Sequence, residues 1–281
     1  MTLTTYAQVS HGIVKEGLTL ESKILGTKVR YTIYLPHDYE ISNRSYPIVY
    51  LLHGYHDNDM SWIQFGESNL IADEGMARRE IPPMIIAMPD AGASWYVNNH
   101  NRSVRYEDFF FQEFIPHIES QYRVRRGKNF RGVAGQSMGG FGTLIYAMRH
   151  PDMFAACAAL GAAVNTTQQI IGMSDTAWAR WPTAIYGPAS GAERVTPHLL
   201  SYNPIHIAQT ADVDKLKGVR MYLDCGDDDY LTIGNAMLHV ALSERRIPHE
   251  YRVRDGAHNW SYWRSGLLDA LKFIGSSFHK E

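Results

Sequence analysis

Two short runs of this chain, YPIVYLLHG at positions 46–54 and PMIIAMPD at 83–90, are apolar at nearly every successive residue. A strand with one wet face alternates apolar and polar side chains. An unbroken apolar run between turn residues therefore belongs to a strand covered on both faces, as in a parallel sheet between helices. RGVAGQS (131–137), FAACAALGA (154–162), VRMYLDCG (219–226) and HEYRVRDG (249–256) read as further strands, and VRYTIYLP (29–36) alternates like a half-exposed one. Between them, SNLIADEGMARRE, YEDFFFQEFIPHIESQY, MGGFGTLIYAMRH, GNAMLHVALSERR and WSYWRSGLLDALKFIG read as helices. This rhythm predicts one α/β domain over residues 1–281, with a mainly parallel twisted sheet and helices on both faces. Pro116, inside the second helix, is expected to kink it.

Residues 163–208 break the rhythm between two strands. Loops of this length are uncommon and often functional. The stretch carries Trp178, Trp181, Tyr186 and Tyr202 among glycines and prolines, and it is expected to fold as a small cap over one end of the sheet.

Charge and cysteine content narrow the function. A formal charge of -2 and a sequence pI of about 6.7 leave no field to gather polyanions, so nucleic acid is not an expected partner. No apolar stretch reaches the roughly 18 to 20 residues that cross a bilayer, and MTLTTYAQVSHG lacks the basic flank and apolar segment of an export signal. Both a cytoplasmic protein and a mature exported one fit that pattern. The two cysteines, Cys157 and Cys225, have no metal-site spacing, and on neighbouring parallel strands they would lie too far apart to bridge, so free thiols are expected.

The segment RGVAGQSMGGFG (131–142) crowds glycines around Ser137 directly after a predicted strand and before a predicted helix. Gly135-Gln136-Ser137-Met138-Gly139 fits G-x-S-x-G, which places a serine on a sharp strand-to-helix turn. A phosphate-cradling loop would instead want a lysine beside Ser or Thr, and none stands here. Glycine is needed because the turn brings backbone too close for a Cβ atom. The turn lifts the Ser137 hydroxyl beside a helix N-terminus that favours developing negative charge.

A serine hydroxyl attacks only when a base takes its proton, and an imidazole does so when a carboxylate fixes its tautomer. In the order Ser, acid, His, the acid belongs after VRMYLDCG and the histidine after HEYRVRDG. His258 occupies the second place. For the first, Asp227, Asp228 and Asp229 are consecutive beyond Gly226 and Asp224 lies within the strand, and spacing does not choose among the three loop aspartates. The backbone N–H groups of Tyr55, after His53-Gly54, and of Met138 are the candidate oxyanion donors. His53, His56, Asp57 and Asp59 match no common zinc spacing, so no metal is expected.

These residues sit in a sequence that resembles the esterase D-like family of α/β-hydrolases, which includes bacterial feruloyl and acetyl esterases acting on plant cell-wall polysaccharide. The likeness runs through LLHGYHDNDMSW, IPPMIIAMPDAG, YEDFFFQEFIPHIESQYRV, RGVAGQSMGGFGTLIYAMRHPDMFAA, YLDCGDDDYL and DGAHNWSYWR. It implies an eight-stranded α/β-hydrolase sheet, an ester-cleaving serine hydrolase with no cofactor, and Asp229 as the acid through the family's G-x-x-D pattern. The first loop departs from the family, with Tyr55, His56 and Asp57 where further glycines often stand.

Aromatic residues at Trp95, Trp178, Trp181 and Trp260 are the candidate lining for an aromatic acyl group or a sugar. With the resemblance they favour a feruloyl or related hydroxycinnamoyl ester over a simple acetyl ester. The expected partner is a small ester or esterified oligosaccharide. Acetyl xylan esterase, S-formylglutathione-type thioesterase and acyl transfer to a sugar are the alternatives.

Overall fold

A computed structural model describes residues 10–278; most of the stretch read for an export signal lies outside them. Eight strands form one sheet in the order β1-β2-β4-β3-β5-β6-β7-β8. They are β1 (Ile13–Ser22), β2 (Thr27–Leu35), β3 (Ile48–Leu52), β4 (Ile85–Pro89), β5 (Arg131–Gln136), β6 (Ala156–Leu160), β7 (Arg220–Gly226) and β8 (His249–Arg254). The strands from β4 to β8 in that order pair in parallel. β1 and β2 form an antiparallel hairpin that joins the sheet through β2 and β4.

The continuous apolar runs become the strands covered on both sides. In β3, Ile48, Tyr50 and Leu52 face one core while Val49 and Leu51 face the other, the two-residue period of a strand put to use on both faces. The first core is closed by Phe109, Phe110, Phe114 and Ile118, by helix Met138–Arg149 through Leu144 and Ile145, and by helix Thr232–Glu244 through Leu238 and Leu242. The second is closed by helix Ser68–Ala77 through Ala72 and Met76, and by helix Trp260–Gly275 through Leu267, Leu271 and Ile274.

Sequence patterning passed over β1. It is an edge strand, IVKEGLTLES, whose pairing register shifts between Lys15 and Leu18 around Gly17 at φ +68°. A polar edge with a bulge blunts the alternation that marks a strand. The helix holding Pro116 changes character where expected: Tyr106–Phe109 is α-helical, Phe110–Phe114 is a π-turn, and Ile115–Gln121 resumes the α-helix. Proline has no N–H for the carbonyl four residues back, and the wider turn before it absorbs the mismatch.

Between β6 and β7 the chain folds into short helices, among them Thr167–Gly172, Asp175–Arg180, Pro182–Tyr186, Pro197–Ser201 and Pro204–Thr210. Segments this short do not persist by propensity. Side-chain caps from Thr166, Ser174, Thr196 and Asn203 start four of them, satisfying N–H groups that a helix start leaves open. Arg194, buried within this insertion, donates to the carbonyls of Ile170 and Ile171 and pairs with Asp175. Among the described residues, no helix is long and apolar enough to cross a membrane. Both cysteines are free and buried.

Candidate active site

β5 delivers Ser137 from the middle of the sheet, between β3 and β6. Ser137 holds φ 54° and ψ -117°, a conformation few non-glycine residues adopt. Its backbone is clamped: the Ser137 N–H donates to Leu160 O (3.0 Å), and its carbonyl accepts from Phe141 N (2.9 Å) and Ala163 N (3.0 Å). The flanking glycines meet the crowding expected of them. A Cβ on Gly135 would stand 2.5 Å from Gly139 O, and one on Gly139 would stand 2.3 Å from Leu52 O.

Ser137 Oγ lies 2.8 Å from His258 Nε2, and His258 Nδ1 lies 2.7 Å from Asp229 Oδ2. The carboxylate accepts the Nδ1 proton, which leaves Nε2 as the acceptor for the serine hydroxyl. Asp229 is buried, and its other oxygen accepts the Leu231 N–H at 2.9 Å. The neighbouring aspartates are occupied elsewhere. Asp227 and Asp228 are exposed, their backbone N–H groups tied to Arg254 O and Gly256 O. Asp224 is buried in β7, where it binds Arg254 Nε (2.9 Å), Tyr222 and Tyr262.

Three further residues frame the imidazole. Tyr230, an exposed side chain, has its ring 4.7 Å from that of His258, and Trp263 meets the same imidazole edge-on at 4.8 Å. Gly161 sits at φ +49°, and a Cβ there would stand 2.9 Å from both Asp229 Oδ2 and Trp263 Nε1. Gly161 was readable only as a strand-end glycine; its contact with the acid comes from the pairing of β6 with β7.

The loop after β3 brings Tyr55 toward this corner. The Tyr55 N–H has no hydrogen-bond acceptor among the described residues, and the Met138 N–H opens a helix, where no intrahelical acceptor exists. Within the loop, His53 Nδ1 donates to Gly54 O (2.8 Å) while Nε2 accepts from Ala91 N (2.8 Å). Asp59 accepts from Thr32 and Asp57 from Gln136. The four loop side chains weighed as metal ligands thus include three already committed to separate partners.

The candidate aromatic residues divide. Trp95 and Trp181 stack, with ring centroids 3.7 Å apart and planes 15° apart. They line one cavity with Phe141, Ala163, Trp178 and Tyr186. Two of these lining residues, Phe141 and Ala163, are the ones whose N–H groups bond the Ser137 carbonyl, so the cavity adjoins the backbone of Ser137. Trp178 is buried in the insertion, where its indole N–H donates to Gly187 O at 3.0 Å. Trp260 stands apart from them. It packs edge-on against Trp62 at 5.1 Å and at a tilt against Phe65 at 5.8 Å, beside the second core. Its place at the start of helix Trp260–Gly275 sets it beside that core, and it is not among the residues lining the cavity of Trp95 and Trp181.

Comparison with known proteins places this geometry. The chain is 28% identical over 261 residues to "Esterase MT1326" of Mycobacterium tuberculosis, covering 85% of this chain and 54% of that protein. It is 28% identical over 169 residues to "Endo-1,4-beta-xylanase/feruloyl esterase" of Xylanibacter ruminicola, covering 58% of this chain and 23% of that protein. The chain therefore spans about half or less of these curated relatives. A solved ferulic acid esterase superposes with a TM-score of 0.81 at 33% identity, over 95% of this chain and all of that one. A serine on a strained corner, an imidazole and a buried carboxylate in hydrogen-bonded sequence, and an eight-stranded α/β-hydrolase sheet all agree with the family model described as "Putative esterase", which matches residues 22–274: the chain belongs to that family.

Proposed function

We propose that this chain is a serine carboxylic-ester hydrolase that releases ferulic or related hydroxycinnamic acids from plant cell-wall polysaccharide through an acyl-enzyme. The observation that carries the reading is the unbroken hydrogen-bond sequence from Asp229 through His258 to Ser137 Oγ. His258 takes the hydroxyl proton as Oγ attacks the ester carbonyl, and the carbonyl oxygen becomes an anion facing the Tyr55 and Met138 N–H groups. His258 returns the proton to the departing alcohol. A water then repeats the attack on the acyl-enzyme and frees the acid.

The substrate class rests on the aromatic cavity beside Ser137 and on the feruloyl esterases among the similar proteins. The cavity has about 30 Å³ of open space, room for about two water molecules and far below the roughly 300–1,000 Å³ of a ligand pocket. An aryl acyl group therefore enters as Trp181 swings off Trp95, and residues 163–208 act as a cap that admits it. Turnover of methyl ferulate against a short chromogenic acetate ester tests the reading. Release of ferulate, lost in Ser137→Ala, supports it. Acetate turnover with none on methyl ferulate would assign a simple acetyl esterase, and failure on both would remove the ester-hydrolase reading.

A further inference from the structure

Gln136 precedes the nucleophile and is wholly buried. Its side chain lies against the loop that carries Tyr55: a Cβ on Gly54 would stand 2.5 Å from both Nε2 and Oε1 of Gln136. Nε2 donates to Asp57 Oδ2 at 2.8 Å. The Asp57 N–H in turn donates to Gly54 O at 3.2 Å, and that oxygen also accepts from His53 Nδ1. Across a trans peptide the C=O and the following N–H point opposite ways. Two donors gripping Gly54 O therefore fix the direction of the Tyr55 N–H.

Gln136 Oε1 is buried with no hydrogen-bond partner. Leaving a buried acceptor unmet costs stability, and an apolar side chain of the same length would avoid that cost. What the amide provides in exchange is the bond to Asp57.

Resting on the ester-hydrolase reading above, we propose that Gln136 is a positioning residue: through Asp57 it holds the loop so that the Tyr55 N–H faces the tetrahedral adduct on Ser137. One residue thus sets the nucleophile through its backbone and the oxyanion donor through its side chain.

The test uses Gln136→Met, Asp57→Ala and Asp57→Asn with a chromogenic acetate ester, so that acyl preference does not enter. It also uses inhibition by phenylboronic acid, which forms a tetrahedral adduct on an active serine. Gln136→Met and Asp57→Ala are expected to lower kcat about 10- to 100-fold, a displaced donor costing less than the roughly 100- to 1,000-fold of one removed outright, with KM little changed. Boronate inhibition should weaken by a similar factor. Asp57→Asn keeps an acceptor oxygen and should restore most of the turnover. Asp57 is a half-buried loop residue, so Asp57→Ala carries the test if Gln136→Met does not fold. Retained kcat in both variants, or lost kcat with boronate binding unchanged, would overturn the tie while leaving the hydrolase reading standing. A wild-type protein that neither turns over the ester nor is labelled by a fluorophosphonate would overturn both.

Discussion

The carbonyl oxygen of Leu52 and the α-carbon of Gly139 are packed so closely that a methyl group on Gly139 would stand 2.3 Å from that oxygen. The end of β3 and the start of the helix behind Ser137 are thus in contact backbone to backbone. Gly139→Ala has no side chain to push aside. It is expected to cost at least about 1–3 kcal/mol, as overpacking does in a well-filled core, and to lower turnover by moving the loop proposed to carry an oxyanion donor away from Ser137. Urea denaturation and ester turnover on the same preparation check both effects.

Among the three consecutive aspartates, only Asp229 reaches His258. Asp229→Asn removes the charge that stabilises the imidazolium and is expected to lower kcat by about 10⁴-fold. Asp227→Asn and Asp228→Asn should stay near wild type. Steady-state kinetics of the three variants give the ranking, and an equal loss in all three would contradict the geometry.

Glu107 joins three segments: it binds Arg149 Nε (2.9 Å), His150 Nε2 (2.9 Å) and the Tyr202 hydroxyl (2.6 Å) from the insertion. Burial works to raise its carboxyl, but the bonds from His150, Arg149 and Tyr202 prevail and hold it down to about 2. A carboxyl depressed by folding contributes stability above its ordinary value near 4.5, and that contribution disappears as pH falls from there toward 2. The contribution at neutral pH is about 3 kcal/mol at most. Glu107→Gln should melt lower than wild type at pH 7, and the gap in Tm should close on acidification toward pH 2.

Cys157 pairs with Met221, four residues before Cys225, which separates the two cysteines by about 13 Å along the strand. Burial pushes both thiols up to about 12. The native protein is expected to react with no thiol reagent at pH 8 and to titrate two thiols once unfolded. A mass two units low under non-reducing conditions would show a bridge that this sheet does not permit.

How much of this was legible in advance depended on whether a residue's role was local. The corner at Ser137 is local, since strand, glycines and helix lie within a dozen residues, and it was read in full. His258 followed from order along the chain. The acid did not follow from spacing, because Asp227, Asp228 and Asp229 differ only in which of them the turn leaves facing inward; backbone bonds to Arg254 and Gly256 decide that, and they come from the end of β8 and the turn beyond it. Trp260 does not line the cavity of Trp95 and Trp181, and which neighbours it meets depends on how its helix docks. The bond from Gln136 to Asp57 spans 79 positions, and the pattern around Ser137 gave no sign of it.

The stretch between β6 and β7 supplies walls to the aromatic cavity but no atom of the Asp229–His258–Ser137 relay. It leaves and rejoins neighbouring strands, and its departure is locked where Asn235 Nδ2 donates to Ala162 O at 2.8 Å. On the proposed reading, selectivity and reactivity thus occupy separable blocks of the gene. A foreign cassette spliced between the same two strand ends would retarget the chemistry without rebuilding its engine, provided it kept a tyrosine to meet Glu107.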